Sequence, residues 1–162
     1  MEEMDGLKGG EYSIGRILPE ETWGLRSQVL WPEKQPDSSC ALEVDGDPDV
    51  FHLGVMAPVG VVGIGTFVPQ VHAMLGDVVG YRLRAMATHP NFRGRRVGAM
   101  LVHHAEEVLK AKEAGGIWAD ARRVSLGFYA RLGWEVSGPF YTVPKRGLHR
   151  LVWTRFDGEI NR

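Results

Sequence analysis

Residues 83–102 read LRAMATHPNFRGRRVGAMLV. The first six suit a strand, His89-Pro90 ends that pattern, and Val97, Leu101, Ala105 and Val108 then recur at helical spacing. A strand therefore hands over to a helix through NFRGRR, a loop that is basic and contains Gly94. A helix start presents backbone N–H groups without intrahelical partners, together with the positive end of the helix dipole, so it attracts anions. Gly94 allows the turn, and Gly98 lets backbone and ligand approach closely. Between Asp77 and Glu106 there is no acidic residue, whereas Arg82, Arg84, Arg93, Arg95 and Arg96 all fall there. A polyphosphate is the economical ligand. A Walker loop and a dinucleotide fingerprint are both absent. Nucleic acid is disfavoured, because the net charge is -1 and no second basic stripe exists.

Working outward, residues 51–76 carry no Asp, Glu, Lys or Arg. A membrane-spanning helix needs about 20 mostly apolar residues, but Pro58, Gly60, Gly63, Gly65 and Pro69 interrupt this one. Two buried strands joined by a turn are expected instead. Upstream, residues 11–17 read as a strand and 19–31 as a helix opened by Pro19 and two glutamates. Residues 32–49 form a polar surface connection of the kind that often carries specificity. Downstream, a helix of about five turns closes at Gly115-Gly116. IWADA is a strand, RVSLGFYARLG a helix ending at Gly133, and WEVSGPFYTV and LHRLVWTRF are two final strands. The order β, α, β, β, β, α, β, α, β, β implies an α/β fold with a mixed sheet, not a doubly wound one.

The chain has 162 residues with 44% apolar content, enough for one core without disulfides or a structural metal. The single cysteine, Cys40, fits a reducing cytoplasm, and the acidic N-terminus has no secretory apolar run. His103 and His104 are adjacent on a helix and point about 100° apart, so they do not chelate a metal as an i, i+4 pair does.

The run 83–102 resembles the acetyl-CoA signature of the GCN5-related N-acetyltransferase (GNAT) superfamily, (Q/R)-x-x-G-x-(G/A) at a helix start. Arg93 stands at its first position and Gly98 at its last, while Arg96 occupies the place of the middle glycine. A second stretch, SLGFYARLGW from Ser125 to Trp134, resembles the short family helix that ends F-Y-x-x-x-G-F. The resemblance implies one N-acetyltransferase domain over residues 1–162, with a mixed, splayed central sheet and helices on both faces, the acyl-CoA N-acyltransferase fold.

It also implies a site. Met86, Ala87 and Thr88 would hold the pantetheine arm of acetyl-CoA, with the Met86 N–H as oxyanion donor, a role worth several kcal/mol of barrier. The amides of Gly94, Arg95, Arg96, Val97, Gly98 and Ala99 would hold the pyrophosphate, with the Arg93, Arg95 and Arg96 side chains near its outer oxygens. Tyr129 matches the family's acid. Some relatives carry a glutamate base where Arg82 stands here, so a water relay, Asp120, Glu33 or His149 must remove the amine's proton. Arg82 and Arg84 share strand parity and suit a substrate carboxylate. Trp31 begins the loop over the acceptor site. The expected acceptor is a small-molecule amine or a peptide, with no metal, nucleic acid or membrane involved. Homodimers are common in the family. The alternative is a non-catalytic acyl-CoA-binding regulatory module of the same fold.

Overall fold

The charge-free stretch folds as a hairpin of β2 (Phe51–Ala57) and β3 (Gly60–Pro69), antiparallel, with Phe51 opposite Phe67. Their rings stack at 5.0 Å, and Leu53, Val55, Val62 and Ile64 are fully buried. Burying such side chains stabilises by about 1.5–3 kcal/mol each, which explains the near-continuous apolar run. The computed structural model describes residues 11–156. Among the described residues no helix is long and apolar enough to cross a membrane.

The other strands are β1 (Ser13–Arg16), β4 (Tyr81–Thr88), β5 (Gly116–Arg122), β6 (Glu135–Val143) and β7 (Gly147–Arg155). They make a seven-stranded sheet in the order β1-β2-β3-β4-β5-β7-β6. β4 and β5 are parallel, with Tyr81 paired to Ile117 and Arg82 to Trp118. β1 with β2, β2 with β3, β5 with β7 and β6 with β7 are antiparallel, so the sheet is mixed, as expected.

Contacts divide the described residues into two compact units, one holding residues 11–68 with Ala85–Ala105, the other Pro69–Arg84 with residues 106–156. In the first, the expected helix over 19–31 is helical but irregular. A 3-10 turn (Pro19–Thr22) leads into an α-turn, α1 (Trp23–Leu25), and then a π-turn (Arg26–Leu30). Leu25 packs with Ile64 and Ala87. On the opposite face of β3, α2 (Val97–Ala111) brings Val97 against Gly63, where a Cβ would lie 2.6 Å from Val97 Cγ1. Helices thus flank both faces of this half-sheet, and Gly63 is where α2 approaches the hairpin closely.

α2 ends at Ala111, earlier than its periodicity suggested. Its buried stripe is Val97, Leu101, Ala105 and Leu109, so Leu109 takes the place expected for Val108. Glu113 (φ 66) adopts the left-handed turn that closes the helix, and Ala114 N–H bonds the Leu109 carbonyl. Gly115 and Gly116 have a different role from the one expected: a Cβ on either would collide with the Val78 or Thr154 carbonyl. α3 (Leu126–Arg131) does end at a left-handed glycine, Gly133 (φ 90).

Candidate active site

In the first unit, β4 bends just before the residues expected to meet the coenzyme, because Ala85 has φ 53 inside a strand. Met86 and Thr88 are half-buried, while Ala87 is buried against Leu25 and Ile64. His89 Nδ1 accepts the Asn91 N–H and starts a 3-10 turn at Pro90–Phe92. Arg93–Arg96 then form an exposed turn leading into α2. Gly94 (φ 77) and Arg96 (φ 68) are both left-handed. That explains the departure at Arg96: the position needs the conformation glycine adopts freely, and an arginine holds it at a cost of about 1–2 kcal/mol. Successive N–H groups in such a turn form an anion-binding concavity, extended by the open amides of the first helical turn. This fits a pyrophosphate, and the flanking arginines add charge without being needed for the cradle.

The 32–49 connection belongs to the same unit, and it is pinned more firmly than a surface loop would be. Arg26, fully buried, donates from Nη1 to Asp45 Oδ2 at 2.8 Å and to the Cys40 carbonyl at 3.0 Å. Its Nη2 donates to Asp45 Oδ1 at 3.0 Å and Thr66 Oγ1 at 2.8 Å. His52 lies 2.8 Å from Thr66 Oγ1 through Nδ1 and 3.1 Å from the Asp45 carbonyl through Nε2. The carbonyl only accepts, so Nε2 carries hydrogen and donates. Burial alone would raise the Asp45 carboxyl, but the Arg26 hydrogen bonds, the Leu42 N–H and the neighbouring positive charges outweigh it and hold it below its usual value. Burial pushes the Cys40 thiol up in spite of Lys34 and Arg26, so it is not an activated nucleophile. Trp31 lies beside this network, its ring 5.9 Å from the Arg26 guanidinium and 6.0 Å from Lys34 Nζ. Glu33 is exposed on the loop.

In the second unit, sheet register gathers several of the expected residues on one face. Trp118, Asp120 and Arg122 alternate along β5, opposite Trp153, Leu151 and His149 of β7. Arg82 joins them beside Trp118. The other face carries Ile117, Ala119, Ala121 and Val152, all nearly fully buried. A two-residue irregularity in β6, at left-handed Gly138 and Pro139, returns Tyr141 to the first face opposite His149.

Arg82 Nη2 donates to Asp120 Oδ2 at 2.7 Å, and the guanidinium lies 4.9 Å from the Trp118 ring centroid. Tyr141 donates its phenol hydrogen to Asp120 Oδ1. Burial, then this bond to an anion, raises the Tyr141 phenol above its ordinary value. Both Asp120 oxygens are therefore engaged, and Arg82 serves as an ion-pair partner. Arg84 is half-buried on the same strand. His149 donates Nδ1–H to its own strand's Gly147 carbonyl at 2.9 Å, which leaves the Nε2 lone pair as the basic one. Tyr129, on α3, is buried against Phe128 and Trp134, each with its ring 5.0 Å away. Burial raises its phenol well above the usual value, so it stays protonated.

Sequence reading alone missed Arg122, Tyr141 and the Arg26 network. A usable signal existed for Tyr141, since counting outward from the three-residue turn 144–146 pairs it with His149. None existed for Arg26, whose partners lie 14, 19 and 40 residues away.

The chain matches the profile of the Acetyltransferase (GNAT) family over residues 17–134. It is 34% identical over 140 residues to the uncharacterized N-acetyltransferase YitI of Bacillus subtilis (strain 168), covering 86% of this chain and 93% of YitI. Among solved structures, an aminoglycoside 6'-N-acetyltransferase complexed with coenzyme A aligns with TM-score 0.70 at 16% identity, over 88% of this chain and 96% of that one. Escherichia coli ElaA aligns with TM-score 0.65 at 15% identity, over 88% and 98%. Fold and relatives together make this an acyl-CoA-dependent N-acyltransferase. The chain belongs to the GNAT family of acetyltransferases.

Proposed function

We propose that the protein transfers an acetyl group from acetyl-CoA to a primary amine of a small molecule or peptide. The observation that carries this reading is the turn before α2, where left-handed Gly94 and Arg96 lead directly into the open amides of Val97, Gly98 and Ala99. When bound, acetyl-CoA supplies an activated acetyl thioester and a thiol leaving group. The amides of Gly94–Ala99 bind the pyrophosphate, while Met86, Ala87 and Thr88 hold the pantetheine arm. The Met86 N–H stabilises charge on the thioester oxygen.

His149 is the base in this reading. Its Nδ1–H bond to Gly147 orients the ring, and its Nε2 takes a proton from the acceptor's ammonium. Asp120 suits that role less, since Arg82 and Tyr141 already hold its oxygens. The freed amine forms the new C–N bond as the C–S bond breaks, and Tyr129 gives the leaving sulfur its proton. Because the Tyr129 phenol is raised by burial, it begins as a hydrogen-bond donor and yields its proton only as negative charge collects on sulfur.

Titration of acetyl-CoA into wild type and Gly98→Asp, alongside thiol release with a panel of primary amines, tests the reading. Wild type should bind and turn over. Gly98→Asp puts a side chain and a negative charge into the pyrophosphate cradle, so binding should fall sharply; unchanged affinity would remove this loop from the coenzyme site.

A further inference from the structure

His149 is buried, and one hydrogen bond holds its ring, from Nδ1–H to the Gly147 carbonyl at 2.9 Å. That bond selects the tautomer but leaves the imidazole able to tilt about it. A second restraint comes from Tyr141, which stands directly opposite in the β6–β7 register. The two rings lie 29° from parallel with centroids 6.4 Å apart, inside the range of about 4.5–7 Å over which aromatic rings pair. Regular pairing continued from Ser137 and Leu151 would set Pro139 against His149, and the two extra residues in β6 put Tyr141 there instead. Irregularities of this kind re-aim side chains.

The sheet order β5-β7-β6 gives the Tyr141 hydrogen bond a special path. To donate to Asp120 Oδ1 on β5, the phenol crosses β7, the strand that carries His149. Arg82, on β4, holds the other Asp120 oxygen at 2.7 Å, with its guanidinium 4.9 Å from the Trp118 ring centroid. Tyr141 is therefore fixed at both ends, by the β6–β7 ladder and by an anchored carboxylate. Burial, followed by the bond to Asp120, keeps the phenol protonated and donating.

We propose that Tyr141 is the positioning residue of His149: braced across β7 by Asp120, its ring holds the imidazole in the orientation that presents Nε2 to the acceptor's ammonium. This rests on the reading of His149 as the base and adds the residue through which its ring is held. Tyr141 meets no reacting atom and acts through His149. Asp120, with both oxygens taken, serves as the anchor of the brace.

The first test needs no acceptor. With histidine labelled for nitrogen NMR, spectra at alkaline pH report the tautomer of each neutral imidazole, and comparison with His149→Gln identifies its signal among the six histidines. Wild type should show His149 in the Nδ1–H form alone. In Tyr141→Leu, which removes ring and hydroxyl, the signal should move toward the tautomer mixture of a free imidazole. Tyr141→Phe keeps the ring and loses the brace, so it should move the signal less, and it carries the same comparison if the leucine variant does not fold. Turnover is then followed as thiol release from acetyl-CoA with the best primary amine of the panel. Tyr141→Leu should lower kcat by about 10–10²-fold, the loss from misplacing a reacting group by about 1 Å, with the KM for acetyl-CoA kept. Tyr141→Phe should lower it about threefold or more, the scale of one lost hydrogen bond. In a His149→Gln background either substitution should change kcat less than about twofold, because its route of action is gone. A wild-type tautomer in both Tyr141 variants overturns the proposal. So does an unchanged kcat in both when His149→Gln loses activity, or a full Tyr141 effect that persists in His149→Gln. If His149→Gln keeps its activity while Tyr141→Leu still mixes the tautomers, Tyr141 remains the residue that holds the imidazole and the base reading falls instead.

Discussion

Arg26 and Asp45 form a two-point ion pair, 2.8 and 3.0 Å long, that ties the π-turn after α1 to the 32–49 connection. A buried pair of this kind adds little net stability over an apolar replacement, but removing one partner strands a buried charge at about 3–5 kcal/mol. Asp45→Ala should therefore destabilise by that order in urea unfolding at neutral pH. The pH dependence has a definite sign. The Asp45 carboxyl is lowered in the folded state, so its contribution is present above the unfolded value near ~3.9 and is lost as pH falls through the lower folded value. Acid should destabilise wild type more steeply than Asp45→Ala. Parallel acid profiles would show that the pair is not coupled to protonation.

A second contact links the hairpin to the start of α2. A Cβ at Gly63 would stand 2.6 Å from Val97 Cγ1, and Val97 is the first residue of α2. Gly63→Ala should cost about 1–3 kcal/mol through overpacking. It should also weaken acetyl-CoA binding by shifting the first helical turn. In a Val97→Ala background the same substitution should cost less, a coupling of about 0.5 kcal/mol or more in a double-mutant cycle. Additive losses would place the strain elsewhere.

The fold was largely legible because its signals are local. The charge-free run from Phe51, the helical repeat Val97-Leu101-Ala105 and the order of elements need only neighbouring residues to be read. The same holds for the turn at Gly94, since glycine before a helix start announces its conformation. Arg96 did not announce its left-handed backbone, because the cost is carried by the fold and leaves no trace in residue type. The π-turn at Arg26–Leu30 and the burial of Arg26 depend on Asp45 and Thr66, which arrive from distant strands and turns. Gly115 and Gly116 look like helix terminators in sequence, yet they are needed because Val78 and Thr154 pass close by. Asp120 and His149 were visible as titratable residues. Their different hydrogen-bonding states emerged only from partners, Arg82 and Tyr141 for one and Gly147 for the other.

Tyr129→Phe should lower kcat by about 10²–10⁴-fold, the usual contribution of a positioned acid, with little change in the KM for acetyl-CoA. An unchanged kcat would remove Tyr129 from the acid role. Its raised phenol also predicts alkaline behaviour: stability from keeping it neutral is present below the unfolded value near ~10 and is lost as pH rises through the higher folded value. Wild type should lose stability above that unfolded value more steeply than Tyr129→Phe, as measured by thermal unfolding across an alkaline series.

His149→Gln separates the base from the structural element that carries it. Glutamine can still donate toward the Gly147 carbonyl, so the β6–β7 hairpin and the Tm should hold, but it has no lone pair able to take up a proton. With the best amine from the panel, kcat/KM should fall by about 10²-fold or more. If kcat/KM is unchanged in His149→Gln, another group takes the proton. Asp120→Asn then becomes the decisive comparison, because it removes the anion while sparing the shape of the Arg82 and Tyr141 contacts. Loss of activity there, with unaltered folding, would move the proton from His149 to Asp120 and leave the histidine as an orienting residue.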